Sequence, residues 1–467
     1  MRYYSTRDKN RAVSFAEAAL RGLAPEGGLF IPEQIPPYRK GVAGSLGSMS
    51  FLEIALETIG PYVEGEIPAA ALEEICAGAF TFSAPLVLIN PEGGAAGAGL
   101  ALELFHGPTA AFKDFGARFM ARTFSWLRRG EDRPLRILVA TSGDTGGAVA
   151  DGFYGVEGIS VTVLYPQGRV SELQEKQIAG LGGNISALAV EGSFDDCQAL
   201  VKAAFADPPL REKLALSSAN SINISRLIPQ TLYYAAAAGK ALAGRLDAGE
   251  EATPRRLAAG VQDGVPGPGR AGPVPRGPIT FCVPSGNFGN LTAGLYAMAM
   301  GAPIAGFIAA TNINRTVPDY LESGEYKTRV SQATISNAMD VGAPSNFERM
   351  SAHWSHGETR RVVRGLSVTD DETRGTIAAV YRDWGYYLDP HGAVGWTAAR
   401  KLGPAGTGPV AVLATAHPAK FSATVEPLTG PVPVPPAIQS ALGRTPRSRT
   451  IPADLSVLRE LLLAGNR

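Results

Sequence analysis

From about Pro134 onward the chain alternates short, almost unbroken apolar runs with stretches of helical pattern, and this alternation limits the fold more than any other feature. Runs at 136–141, 160–165 and 185–190 read as strands, with helices beginning near Thr145, Ser171 and Phe194; runs at 279–283, 304–311 and 410–416 repeat the scheme. A strand that is apolar at every position has no face for water, so it lies in a sheet covered on both sides. Strands of that kind separated by helices give mostly parallel sheets in an α/β protein. There is no fixed-period internal repeat. A chain of 467 residues, 45% of them hydrophobic, is long enough for two or three domains.

Before this region, Ser14 with Glu17 and Ser50 with Glu53 have the Ser-x-x-Glu form of a capping box, so two short helices are expected to open the chain. A Gly- and Pro-rich stretch between them, 25–37, ends the first helix. Residues 1–85 therefore read as a small N-terminal unit. Residues 245–278 are more than one-third Gly plus Pro and nearly free of bulky apolar side chains, which reads as a disordered insert within a domain. Five arginines in it could meet a partner or simply be solvated. The proline-rich tail, about 426–450, is expected to wrap the surface.

Forty-three Lys and Arg balance forty-three Asp and Glu, so bulk charge favours neither nucleic acid nor an anionic membrane as partner. The start, MRYYSTRDKN, has no apolar core of a signal peptide, and no segment holds eighteen uninterrupted apolar residues. Cys76, Cys197 and Cys282 are far apart in sequence and form no metal-ligand pattern. A soluble protein of a reducing cytoplasm is expected.

The stretch 105–116, FHGPTAAFKDFG, places Lys113 between Phe112 and Phe115 before a helical run. Loss of hydration beside two aromatic rings would favour the neutral, nucleophilic amine and Schiff-base chemistry. Equally, such a lysine can lay its stem over apolar surface and keep its head in water. The run PSGNFGN, 284–290, follows a strand and precedes a helix, an order that points backbone N–H groups and a positive helix terminus at one spot, as phosphate sites require. The alternative is a plain strand-to-helix connection. TSGDTGG, 141–147, repeats the arrangement, with Ser142 or Asp144 as a ligand for a second anion or as an ordinary N-cap. Asn220, Ser221, Asn223 and Arg226 form a polar turn before another helix, either structural or lining a site. Thr415 ends a strand, where α/β sheets place functional groups, although threonine is also a plain β-former.

The histidines add little. His353 and His356 are three apart but lack a third ligand, and His106 and His391 could contact substrate or serve structure.

Taken together, these residues make the chain resemble the threonine synthase family, pyridoxal 5'-phosphate enzymes of the tryptophan-synthase-β fold type. The likeness runs in order through MRYYSTRD, LAPEGGLFIP, FHGPTAAFKDFGARF, ATSGDTGGAVA, YPQGRVSELQEKQ, NSINISRLIPQ, VPSGNFGN, MDVGAPSNFER, DPHGAVGW and TAHPAKF. It implies fold type II: two open, twisted, mostly parallel sheets flanked by helices, with a small N-terminal helical or mixed domain over 1–85. A large cofactor-binding domain would take 86–133 and 239–467, and a small, mobile, substrate-side domain 134–238. Lys113 would hold the cofactor as a Schiff base, Gly286, Asn287, Phe288, Gly289 and Asn290 would bind its phosphate, and Thr415 would hydrogen-bond its ring nitrogen. Ser142, Gly143, Asp144, Thr145, Asn220, Ser221 and Asn223 would face the substrate. Two departures stand out, the 245–278 insert and Ala343 where an Asn is expected.

The activity implied is conversion of O-phospho-L-homoserine and water to L-threonine and phosphate, by a cytoplasmic monomer or homodimer with no metal. The nearest rival is a related pyridoxal-phosphate lyase, a serine/threonine dehydratase or a phospholyase for another phosphorylated amine. A catalytically silent homologue is the reading from outside enzymology, and the intact lysine, phosphate loop and Thr415 oppose it.

Overall fold

The structure, a computed structural model, describes residues 1–90, 99–247 and 276–464. Both Ser-x-x-Glu sequences start helices, but differently. At Phe51–Val63, Ser50 accepts from the Glu53 amide and the Glu53 carboxylate accepts from the Ser50 amide at 2.7 Å, the reciprocal box the spacing predicts. At Phe15–Arg21, Ser14 accepts from the Glu17 amide while the Glu17 carboxylate turns to Arg11 and Arg21. Glu66 takes its place, accepting from the Phe15 and Ala16 amides at 2.6 and 2.8 Å. A carboxylate from a distant loop thus satisfies the first-turn donors and ties the helix to the rest of the N-terminal unit. The strand Tyr3–Ser5 pairs antiparallel with Phe30–Pro32 beside it.

The larger sheet has six strands in the order Val363–Ser367, Ile304–Thr311, Ile279–Pro284, Val410–Ala414, Leu100–Glu103, Leu86–Leu88. The smaller has five, Ser448–Pro452, Ile185–Glu191, Ile159–Pro166, Leu135–Ala140, Ala215–Ser218. Every described pairing in both is parallel except Leu86–Leu88 with Leu100–Glu103. All residues of Ile279–Pro284 and Val410–Ala414 are buried, which is why they read as unbroken apolar runs.

The tail does not simply wrap the surface. Ser448–Pro452 pairs with Ile185–Glu191 and adds an edge strand to the smaller sheet. The helix Leu455–Ala464 then covers that sheet, burying Leu458 and Leu462 against Leu200, Val201 and Leu210. Asp207 fixes it by accepting from Arg459 Nε at 2.9 Å. Topology therefore divides the chain differently from the expected 134–238 and 239–467: residues 448–464 belong with the smaller sheet. The helix Thr231–Ala243, by contrast, packs on Phe51–Val63 and Gly289–Met300, with the larger unit. The expected insert at 245–278 lies outside the described residues except for 245–247 and 276–278.

Among the described residues no helix is long and apolar enough to cross a membrane, and no cluster of His, Cys, Asp and Glu could hold a metal ion. His353 instead bonds the Tyr296 hydroxyl at 2.8 Å, and His356 faces the Leu321 carbonyl at 3.3 Å. Residues just beyond the carboxyl ends of Ile279–Pro284, Val410–Ala414, Leu135–Ala140 and Ala215–Ser218 line one cavity, the crevice where open α/β sheets place their chemistry.

Candidate active site

Lys113 is the first residue of the helix Lys113–Leu127, and the turn before it is tightly held. Thr109 donates its amide and hydroxyl to Asp114 at 2.9 and 2.6 Å, and burial pushes the Asp114 carboxyl up to about 6. Ala110 takes a left-handed conformation, φ 54°, to close the turn. The Phe112 amide donates to the Thr415 carbonyl at 2.9 Å, which sets Lys113 beside Thr415. Lys113 Nζ sits 4.9 Å from the Phe112 ring centre and 3.6 Å from Asp144 Oδ2. Burial pushes the amine below the ordinary lysine range, against the pull of Asp144. The second expected aromatic neighbour is elsewhere: Phe115 points into the core among Phe82, Tyr233 and Phe51, because it lies on the buried face of the helix.

The loop 285–290 is built to approach an anion. A Cβ on Gly286 would lie 2.6 Å from the Ala338 carbonyl oxygen, so only glycine lets this backbone pass. Phe288 takes φ 60°, which turns successive N–H groups the same way at the start of Gly289–Met300. Among the described residues, the amides of Gly286, Asn287, Phe288 and Gly289 have no hydrogen-bond acceptor in the protein. Asn290 Oδ1 accepts from the Tyr233 and Tyr234 hydroxyls at 2.6 and 2.7 Å, which leaves a buried Nδ2 without a partner. Unpaired buried donors of this kind are costly unless a ligand accepts from them. Asn287 is braced from behind, its side-chain oxygen accepting from the Ser345 amide at 3.1 Å and its carbonyl from the Asn346 amide at 3.2 Å. A row of free amides, a lysine amine favoured neutral and a threonine hydroxyl in one cavity fit the phosphate, aldehyde and ring nitrogen of pyridoxal 5'-phosphate.

Of the residues expected on the substrate side, Ser142, Asp144, Thr145, Asn220 and Ser221 line the cavity. Gly143 and Asn223 do not. Gly143, φ 142°, packs under Gln174 and makes the turn, and its amide donates to Thr141 Oγ1 at 2.9 Å. Asn223 is fully buried and spends its amide on structure: Nδ2 donates to Ala19 and Ser218 carbonyls, and Oδ1 caps the helix Ile224–Leu227. Asn220 faces the cavity while its side chain also exchanges two hydrogen bonds with the Ala140 backbone, joining two strand ends.

Two further lining residues, Arg226 and His391, carry in the sequence a structural reading beside the functional one. Arg226 is 3% exposed, donates to the Ala219 carbonyl at 2.6 Å and has a buried Nε without a partner. No described carboxylate pairs with it, and burial pushes it down to about 10. Its position in NSINISR is the one signal that could have promoted it. His391 also lines the cavity, yet both ring nitrogens are engaged, Nδ1 with Asp389 at 2.6 Å and Nε2 with the Ala338 amide at 3.2 Å. It therefore braces the 338–339 backbone that lies against Gly286. His106 is held by Glu103 at 2.8 Å.

A larger cavity, about 1040 Å³, lies elsewhere, between Arg7, Pro25, Lys202, Tyr326 and Ser345, and contains neither Lys113 nor the glycine loop. Convergence of unpaired donors, not volume, identifies the chemical site. Ala343 is exposed on the wall of that other groove, so the departure there is remote from Lys113.

The chain matches the family models described as Threonine synthase N terminus over residues 2–80, Pyridoxal-phosphate dependent enzyme over 83–416, and Threonine synthase, C-terminal over 392–462. It is 40% identical over 465 residues to the threonine synthase of Escherichia coli strain K12, with 99% of each chain covered. Its structure matches the crystal structure of Escherichia coli threonine synthase with a TM-score of 0.84 at 38% identity, covering 100% of both chains. Against the X-ray structure of PLP-bound threonine synthase from Brucella melitensis the TM-score is 0.83 at 35% identity, again covering 100% of both chains.

Proposed function

The chain belongs to the threonine synthase family of pyridoxal-phosphate-dependent enzymes, and we propose that its substrate is O-phospho-L-homoserine, converted with water to L-threonine and phosphate. Pyridoxal 5'-phosphate, when bound, supplies an electron sink conjugated to the substrate amine. Lys113 would hold the cofactor, and its free amine would remove first the Cα and then a Cβ proton of the substrate. Phosphate leaves from Cγ, Cγ takes up a proton, and water adds at Cβ before a proton returns to Cα. The amides of Gly286 to Gly289 and Asn290 Nδ2 grip the cofactor phosphate. Thr415, on the cavity wall, would offer its hydroxyl to the ring nitrogen, a neutral partner in place of a carboxylate. Ser142, Thr145, Asn220 and Ser221 orient the substrate.

The observation that carries the substrate assignment is Arg226. The glycine loop accounts for the cofactor phosphate, and a buried guanidinium without a described carboxylate partner faces the same cavity. Arg226 therefore suits a second anion: with the substrate carboxylate at the Ser142 and Thr145 helix start, the guanidinium is left for the phosphate of a phosphorylated amino acid, a group that serine and threonine lack. Arg226→Met is expected to raise KM for O-phospho-L-homoserine roughly 100-fold, about 3 kcal/mol, with the cofactor spectrum retained. An unchanged KM would remove the argument for a phosphorylated substrate.

The cavity between the two units is narrow, about 100 Å³. Small-molecule sites commonly span roughly 300 Å³ or more, so cofactor and substrate together need the two sheets to part and close again. Closure also keeps water and stray protons from diverting the intermediate to α-ketobutyrate. Binding of a non-reactive substrate analogue is expected to slow amide hydrogen exchange in 134–218 by about tenfold; unchanged exchange there would sink the closing motion. Cys76, Cys197 and Cys282, buried and unpaired, fit a reducing cytoplasm.

A further inference from the structure

TAHPAKF contributes more than Thr415. Its Lys420, on the turn Pro418–Phe421, is a second buried lysine close to Lys113, with 0% of its side chain exposed. Lys420 Nζ donates to Asp144 Oδ1 at 2.8 Å and to the Thr109 carbonyl at 2.8 Å. Gln174 Nε2 is a second donor to the same Asp144 oxygen, at 2.9 Å. Asp144 Oδ2 is left facing Lys113 Nζ across 3.6 Å. One carboxylate, 3% exposed, therefore stands between two lysine amino groups and is bonded to the one that does not line the cavity.

We infer that Lys420 is a positioning residue: it holds the Asp144 carboxylate against the 109 turn and away from Lys113, so that the reacting amine stays neutral. The inference rests on Lys113 as the residue that holds the cofactor. The charged groups acting on Lys113 are Asp144, Lys420 and Arg226 from the helix Ile224–Leu227; His391 lines the same cavity, and Asp114, next on its own helix, is turned to Thr109. Two of these are cations whose fields oppose an ammonium at Lys113, and Asp144 alone favours one strongly. Remove Lys420, and Asp144 has Lys113 as its nearest cation. The pair would then form fully, the lysine would stay charged, and it could neither attack nor accept a proton.

The test is the pH titration of the cofactor absorbance in the purified holoenzyme, after borohydride reduction and peptide mapping have located the attachment in the parent protein. Attachment at another residue would overturn the functional reading itself; a failure seen only in the variants bears on Lys420 alone. Lys420→Met is expected to move the titration midpoint up by about one pH unit, a tenfold change in proton affinity, and Lys420→Arg to keep it within about 0.3 of the parent. Asp144→Asn is expected to move it down. An unchanged midpoint in Lys420→Met, or an equal shift in Lys420→Arg, overturns the inference. Should Lys420→Met fail to retain cofactor, Asp144→Asn decides: a midpoint at or above the parent's overturns the inference, and a lower one upholds it.

Discussion

Lys113→Ala is expected to lower turnover of O-phospho-L-homoserine by at least about 10⁴-fold, and to abolish the covalent hold on the cofactor, without unfolding the protein. In the mechanism proposed above the lysine is both the nucleophile that holds the cofactor and the base that moves two protons, so no remaining side chain in the cavity should replace it. Lys420 cannot, because its ammonium is committed to Asp144 and the Thr109 carbonyl and does not face the cavity. The fold should survive. Lys113 is the first residue of its helix, its only close ionic contact among the described residues is the 3.6 Å approach to Asp144, and Asp144 keeps Lys420. Unfolding stability is expected to change by less than about 1 kcal/mol. Product assay, the absorbance of the dialysed protein and denaturant unfolding together check this; retained absorbance and turnover would remove Lys113 from the centre of the mechanism.

The largest structural effect is expected at Arg349, in MDVGAPSNFER. Its guanidinium is fully buried and donates to the Phe30 carbonyl at 3.1 and 3.0 Å, to the Ile222 carbonyl at 2.8 Å and to Asn346 Oδ1. Asn346 in turn donates to the Ser221 carbonyl at 3.3 Å and to the Asn287 carbonyl. One side chain thus ties the N-terminal unit, the substrate-side turn and the phosphate loop together. Arg349→Met leaves these buried carbonyls without donors, at a cost of about 3–5 kcal/mol. The denaturant midpoint should fall accordingly, and kcat should fall with it because the Ser221 turn loses its anchor. A loss under about 1 kcal/mol would show that water or neighbouring donors replace the guanidinium.

These two sites were unequally legible in the sequence. Lys113 and the glycine loop are local: a lysine at a helix start and a strand, turn and helix in order carry their chemistry within a dozen residues. The strands buried on both faces were legible for the same reason, since burial alone makes a run such as 279–284 unbroken. Lys420 and Arg349 act through partners far away in sequence, and nothing in their own neighbourhood announces Asp144 or Phe30. Asn223 and Gly143 look like ligands because turn and cap chemistry uses the same residue types as anion sites. The closing strand Ser448–Pro452 was illegible because, as an edge strand, it buries only Ile451 and so shows no apolar run. Glu66 is the same lesson at a helix start, where tertiary structure supplied the carboxylate that the local spacing assigned to Glu17.

The measurement that bears most directly on the account is to give the purified, cofactor-loaded protein O-phospho-L-homoserine and quantify phosphate, threonine and α-ketobutyrate in the same samples. The account predicts phosphate and threonine in equal amounts with little keto acid, because Arg226 selects the phosphorylated substrate and closure directs water to Cβ. Phosphate with α-ketobutyrate in place of threonine would contradict it by showing a lyase that does not control water, and no phosphate release at all would contradict the substrate assignment.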